Sequence, residues 1–257
     1  KNCEEERLLG VSLTGIMDCE TTRKVSGLDL TLSRLRSEAI KVNKEHADEL
    51  GIPQSAAITC VKPSGTVSQL TDAASGIHAR HNAQYIRTVR ADNKDPLCSF
   101  MKDKGFPYEA DVMKPDHVTV FSFPIQSPAK CVTRNDMTAI EQLELWLVYQ
   151  RHWCEHKPSV TITVKEEEWP TVGGWVYDHF DEISGISFLP HSDHSYRQAP
   201  YQDITEEEYK GVFQYSTNTK GEKIKVDLTT PTTINWDKLE EFEIEDSTNG
   251  NRELACS

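Results

Sequence analysis

Apolar positions change their period along the chain, and each change marks an element. Leu28, Leu32, Leu35, Ala39 and Val42 recur at intervals of four and three, which places one apolar stripe on a helix over Leu28–Leu50. Before it, "LLGVSLTGI" (Leu8–Ile16) reads as a strand. "SAAITCV" (Ser55–Val61) reads as a short buried strand, and "VSQL" begins a helix soon after. "QYIRTVRA" (Gln84–Ala91) alternates as a half-buried strand does, "DPLCSFMKDKG" is a short helix closed by Gly105, and "HVTVFSFPI" (His117–Ile125) is a strand that ends at or just past Pro124. Asn135 or Asp136 is placed to cap the next helix, whose stripe is Ile140, Leu143, Leu147, Arg151 and Cys154. "SVTITV" (Ser159–Val164) is rich in β-branched residues and reads as a strand. "EEEWPTVGGWVYDHF" reads as helical despite Pro170, and "GISFLP" as one more strand. Strands alternating with helices predict a mainly parallel α/β sheet or barrel. From residue 216 the chain is polar, Thr-rich and then acidic, and reads as a tail or peripheral wrap.

Composition narrows the classes. Of 257 residues, 37% are hydrophobic and 27% charged, which is ordinary for a globular protein with a sizeable core. The formal net charge of −13 argues against wrapping a nucleic-acid polymer, whose affinity comes mainly from Lys and Arg. No apolar run is long enough to span a bilayer, and no signal-peptide pattern opens the sequence. The seven cysteines (Cys3, Cys19, Cys60, Cys98, Cys131, Cys154 and Cys256) follow no regular spacing. An odd, unpatterned set predicts a cytoplasmic chain with its thiols mostly reduced. The sequence opens on "KNCEEERLLGVSL" and closes on "NRELACS", and both ends read as those of a piece of something longer.

The candidate chemistry centres on "CVKPSGTVSQL" (Cys60–Leu70). A strand, a small-residue turn and a helix start leave several N–H groups without partners, an arrangement that suits a phosphate. Ser64 can cap, Gly65 admits close backbone approach, and Thr66 and Ser68 add hydroxyls. Lys62 brings charge. No Gly-Lys-Ser/Thr follows, so this is not a Walker A loop. A plain helix cap explains the same residues. Downstream, "GIHARH" offers His78, Arg80 and His81, either ligands near an anion or a solvated basic loop. "HWCEH" (His152, Cys154, His156) and "HSDH" (His191, Asp193, His194) lack a recognised zinc spacing, so a zinc-stabilised interaction domain is a weaker reading. Glu166, Glu167 and Glu168 read as a solvated first turn rather than acid–base groups. Cys256 is a thiol on a polar acidic stretch, where burial does not account for it.

Taken in order, "RLLGVSLTGIMD", "CVKPSGTVSQLTDAASGIHARH", "EHKPSVTITVKEEEW", "DEISGISFLPHSDHSYRQAPYQDIT" and "ELACS" resemble the C-terminal part of adenosylcobalamin-dependent (class II) ribonucleotide reductases, closest to the monomeric, ribonucleoside-triphosphate type. The resemblance implies the C-terminal part of a ten-stranded α/β barrel over residues 1–215, then a peripheral segment and truncated redox tail over 216–257. It implies that Ser64, Gly65, Thr66, Val67 and Ser68 hold the phosphate of a ribonucleoside triphosphate. It implies adenosylcobalamin as cofactor, with no protein histidine on cobalt, and a thioredoxin-like reductant served by Cys256 as half of a C-terminal thiol pair. The family's radical-loop Asn-Pro-Cys motif is not found here, so the chain alone is expected to be inactive. Cys19, Cys60, Cys98, Cys131 and Cys154 match no catalytic position of the family and read as structural. An α/β nucleotide- or phosphate-binding domain without a redox role is the alternative.

Overall fold

The computed structural model describes residues 7, 9–65, 67–191, 197–211, 216–217 and 223–224. They fall into two compact units, one drawn from residues 1–85 and 126–195, the other from 86–125 and 196–257. The architecture is mixed α/β.

In the first unit the stretch expected to be a long strand pairs over only two residues. β1 (Val11–Ser12) lies parallel to β2 (Thr59–Cys60), with Val11 beside Thr59. Gly15 then takes a left-handed conformation at φ 70°, with its N–H on the Ala74 carbonyl at 2.8 Å, and the chain enters a single 3-10 turn over Ile16–Asp18. Residues without a Cβ adopt this conformation at no steric cost, which ends the strand early. A one-turn helix, α1 (Glu20–Arg23), leads to α2 (Leu28–Leu50), which occupies the residues its stripe predicts. Gly51, at φ 65°, closes α2, with Ile52 N–H returning to the Ala47 carbonyl at 3.0 Å. Only the first part of the stripe is buried: Leu28 and Leu32 are in the core, whereas Leu35 and Val42 are 46% and 40% exposed.

After β2 comes α3 (Val67–Leu70), a single turn. The centre of the unit is α5 (Ala139–His152), against which α2, β6 (Thr161–Val164) and α6 (Trp169–Asp178) pack; α4 (Pro96–Asp103) lies in the other unit. Its cap is neither Asn135 nor Asp136. Thr138 accepts from Glu141 N–H and the Glu141 carboxylate accepts from Thr138 N–H, a reciprocal capping box. Asp136 instead accepts from the N–H and hydroxyl of Thr133, at 2.9 and 2.7 Å, and so stabilises the turn before the helix. The buried face of α5 is also wider than the predicted stripe, taking in Leu145, Trp146 and Tyr149 beside Leu143 and Leu147. Arg151 leaves that face to pair with Glu182. β7 (Ser187–Pro190) runs parallel to β6, with Ile162 beside Phe188.

The second unit carries a four-stranded sheet in the order β4-β5-β3-β8, from β3 (Gln84–Asp92), β4 (Tyr108–Ala110), β5 (Val118–Gln126) and β8 (Tyr201–Asp203). β4 is antiparallel to β5, so the pairing is not parallel throughout. Asp95 caps α4 (Pro96–Asp103), accepting from Leu97 N–H at 2.9 Å, and Gly105 at φ 77° follows its end as predicted. β4 and β8 are three-residue strands that no alternation in the sequence announces. Later come α7 (Glu206–Gly211) and a short antiparallel pair, β9 (Ser216–Thr217) with β10 (Lys223–Ile224). Among the described residues no helix is long and apolar enough to cross a membrane.

Candidate functional site

β2 is held rigidly before it delivers the chain to the turn. The Glu155 carboxylate accepts from the N–H groups of Ile58 and Thr59, at 2.8 and 3.2 Å, and Arg36 lies 3.8 Å away. Burial works against the charge of Glu155, but these two N–H bonds and Arg36 outweigh it and hold its pKa below the usual carboxylate value. Thr59 Oγ1 donates to the Trp153 carbonyl at 2.5 Å, and Trp153 Nε1 donates to the Cys60 carbonyl at 2.8 Å. The "HWCEH" stretch is therefore a brace for β2. Its Cys154 is buried, which together with neighbouring Cys60 pushes the thiol up to about 12, and its His152 ring lies 3.1 Å from Ser33 Oγ. Among the described residues no three His, Cys, Asp or Glu side chains are grouped to hold a metal ion. Asp193 and His194 of "HSDH" lie outside the described residues, while His191 Nε2 is 3.1 Å from Asn135 Oδ1.

At the turn the hydroxyls of Ser64 and Ser68 are bonded within the protein, while Gly65 and Val67 are exposed. Ser64 is buried, its Oγ 2.7 Å from Thr14 Oγ1 and 3.3 Å from Ser75 Oγ. Ser68 is fully buried; its hydroxyl and its N–H both bond the Ser64 carbonyl, the latter at 2.9 Å. The N–H groups of Gly65 and Val67 meet no acceptor among the described residues. A Cβ built at Gly65 would meet nothing within 4 Å, so the space over this backbone is open. Lys62 is exposed, and its backbone N–H is anchored on Ser12 Oγ at 3.0 Å. Thr66 and Cys256, both singled out from the sequence, lie outside the described residues.

The residues of "GIHARH" serve different purposes. Thr161 N–H donates to His78 Nε2 at 2.9 Å, which fixes the neutral tautomer with its proton on Nδ1, directed at the Ser75 carbonyl at 3.0 Å. Burial lowers the imidazole pKa, against the opposing pull of that carbonyl. Arg80, 5% exposed, is a buried cation rather than part of a solvated loop. Its Nε and Nη2 bond the Asp18 carboxylate, at 3.2 and 2.8 Å, and its Nη1 and Nη2 reach Asp72. Burial disfavours its charge, but Asp18 and Asp72 more than compensate and raise its pKa. His81 packs edge-on against Tyr85, with ring centroids 5.6 Å apart. Glu168 is a second unforeseen brace: its carboxylate accepts from Ala139 N–H at 2.9 Å and Lys165 N–H at 2.8 Å. Sequence reasoning did not pick out Thr14, Asp18 or Glu155. Thr14 and Asp18 lie within the "LTGIMD" segment, where two polar residues flanking a buried Ile-Met pair were the available signal.

A strand that ends in a turn of open amides, on an α/β body, is the arrangement used by anion-binding proteins. Comparison with known proteins narrows the class. No family model matches the chain. The adenosylcobalamin-dependent ribonucleoside-triphosphate reductase of Euglena gracilis is 31% identical over 206 residues, covering 79% of this chain and 28% of that protein. The reductase of the same name from Lactobacillus leichmannii is 28% identical over 236 residues, covering 80% and 32%. That of Levilactobacillus brevis is 26% identical over 253 residues, covering 87% and 34%. A solved B12-dependent (class II) ribonucleotide reductase superposes with a TM-score of 0.65 at 24% identity, over 81% of this chain and 33% of that one. The resemblance read from the motifs is borne out: the chain is a homologue of adenosylcobalamin-dependent ribonucleoside-triphosphate reductases. It spans 28–34% of the length of these three curated relatives.

Proposed function

We propose that this chain is part of the catalytic body of a class II ribonucleotide reductase, which converts ribonucleoside triphosphates to 2′-deoxyribonucleotides in the cytoplasm. The observation that carries the proposal is the turn after β2, with open amides at Gly65 and Val67 and inward hydroxyls at Ser64 and Ser68, in a chain with relatives of that name. In this reading residues 64–68 hold the substrate phosphate, with the open amides of Gly65 and Val67 receiving it, Lys62 adding charge, and Thr66 contributing its hydroxyl. Ser64 and Ser68 act mainly by shaping the turn. Residues 1–215 belong to a ten-stranded α/β barrel and residues 216–257 to a peripheral segment and redox tail. On that tail Cys256 is one thiol of a pair that exchanges with the active-site disulfide and is recharged by a thioredoxin-like protein. The parent enzyme is monomeric.

Adenosylcobalamin, the cofactor of this reading, supplies the radical that starts thiyl chemistry when bound. His78, partly buried near the turn, has both ring nitrogens engaged and offers neither to cobalt, which suits a cofactor carried without a protein imidazole on its metal. In this reading part of the cofactor-binding region falls within this chain.

The test is Gly65→Val in the full-length protein. A branched side chain there fills the open space over the amides and removes at least one charge-assisted hydrogen bond, worth about 1.5–3 kcal/mol. Equilibrium dialysis should show triphosphate affinity lowered by roughly ten- to a hundredfold. Unchanged affinity would leave the turn as a helix cap only. Nucleotide binding without deoxynucleotide formation, in the presence of adenosylcobalamin and a dithiol, would favour the binding domain without a redox role.

A further inference from the structure

Behind the turn lies a second loop, residues 71–77, fastened by side chains distant in sequence. Thr14 Oγ1 accepts from Gly76 N–H at 2.9 Å, lies 3.2 Å from the Ala74 carbonyl, and lies 2.7 Å from Ser64 Oγ. A hydroxyl has a single proton to give. If Thr14 gives it to Ala74, Ser64 is the donor between the two hydroxyls; if Thr14 gives it to Ser64, the Ser64 proton is released towards Ser75 or outward. In both arrangements one threonine oxygen couples the turn to the loop. Asp18 fixes the other side of the same loop. Its Oδ2 accepts from Ala74 N–H at 2.7 Å and from Arg80 Nη2 at 2.8 Å, while that Nη2 also holds the Asp72 carbonyl at 2.6 Å. Asp72 is kept at φ 47°, a left-handed conformation that is uncommon for a residue with a Cβ, although Asp takes it more readily than most. A Cβ at Gly76 would come within 3.4 Å of the Lys62 carbonyl, so loop and turn are packed backbone to backbone.

We infer that Thr14 and the pair of half-buried Asp18 with buried Arg80 are positioning residues for the phosphate turn: they touch no substrate, and they hold Ser64, and through it the amides of Gly65 and Val67, in place before an anion arrives. The inference rests on the phosphate-turn reading above. Its physical basis is preorganisation, since donors already aimed lose little conformational freedom on binding and need no rearrangement. Removing the Asp18 charge would leave a buried guanidinium with Asp72, whose side chain is 76% exposed, as its remaining carboxylate beside the Tyr85 side chain, so the loop would have to shift to rehydrate it.

Thr14→Val, Thr14→Ser and Asp18→Asn, made in the full-length protein, test this. Each is measured by equilibrium dialysis against a ribonucleoside triphosphate and against the matching nucleoside, which lacks phosphate. Thr14→Val and Asp18→Asn should weaken the triphosphate about tenfold, the loss of roughly one hydrogen bond, and leave the nucleoside unchanged. Thr14→Ser should restore wild-type binding. An equal loss for both ligands would show a merely structural brace and overturn the inference, as would no loss for either. Should Thr14→Val not fold, as judged by circular dichroism, Asp18→Asn and Ser75→Ala make the same comparison. Gly65→Val separates the two levels of the argument. If it weakens the triphosphate while the brace variants do not, the turn binds phosphate and the brace fails. If it has no effect, the phosphate-turn reading fails and takes the brace with it.

Discussion

His78 shows how much a single ring can decide. Its Nε2 accepts from Thr161 N–H, so protonation there would set two donors against each other. Burial has already moved its pKa below the ordinary 6.5, and an imidazole whose folded pKa is depressed binds fewer protons folded than unfolded just below pH 6.5. Stability from this group is therefore complete above about pH 6.5 and is lost as the pH falls from there towards the folded value. Urea melts at pH 7.5 and 5.5 should show lower stability at the acid end, and His78→Gln should reduce that difference. An equal difference in wild type and variant would mean that another group carries it. The sequence made His78 visible but not its role, because Thr161 lies 83 positions further on. Ser68 teaches the converse: its hydroxyl was legible as a donor, yet it is spent on the Ser64 carbonyl.

Among the elements, α2 was readable because its stripe opens at Leu28 and Gly27 and Gly51 flank its two ends. α5 was readable as a helix but not in its cap, since Asn135, Asp136 and Thr138 are all competent and only the Glu three residues after Thr138 distinguishes it. Thr138→Ala should destabilise the protein by about 1 kcal/mol in chemical denaturation. Glu168→Ala should cost more, about 2 kcal/mol, because one carboxylate serves N–H groups at the start of α5 and before α6. If the order of the two is reversed, the carboxylate is a surface ornament rather than a joint. β1 and β2 came out shorter than their apolar runs because Gly15 turns the chain away at one end and Val61 is fixed by Ser159 N–H on its carbonyl at the other.

On the scale of the whole molecule the two units differ in what holds them. The main apolar cluster, including Leu32, Leu143, Trp146, Tyr149 and Ile162, draws only on the first unit. The second relies on fewer buried side chains, such as Cys98, Val120 and Phe121, and on polar ties such as Gln198, which accepts from Val112 N–H and donates to the Ala110 carbonyl. Local opening follows buried contacts. Hydrogen exchange should therefore be slowest in α5 and β6 and faster in β3, β4 and β5; equal protection throughout would mean one cooperative block. Neither the division into units nor the antiparallel β4–β5 ladder was legible, because each depends on which strands meet, and pattern along a chain specifies faces rather than neighbours. The ordered motifs were legible as a family likeness because they lie in separate segments that had to agree together.

The ties that shape the turn also set a timetable. β1 waits for β2, 48 positions later in register, the Cys60 carbonyl waits for the Trp153 indole, and His78 waits for Thr161. A chain emerging from the ribosome would therefore carry its Ser64–Ser68 segment with Thr14, Ser75 and Gly76 already at hand, and wait some eighty residues more for Trp153 and Thr161. Contacts of this sequence separation slow folding, because loop closure must come before any of them is rewarded. The outer bracing is complete only when the strand at Thr161 has emerged, so a nascent protein cut short before that point would hold the turn and its nearest ties without the brace around them.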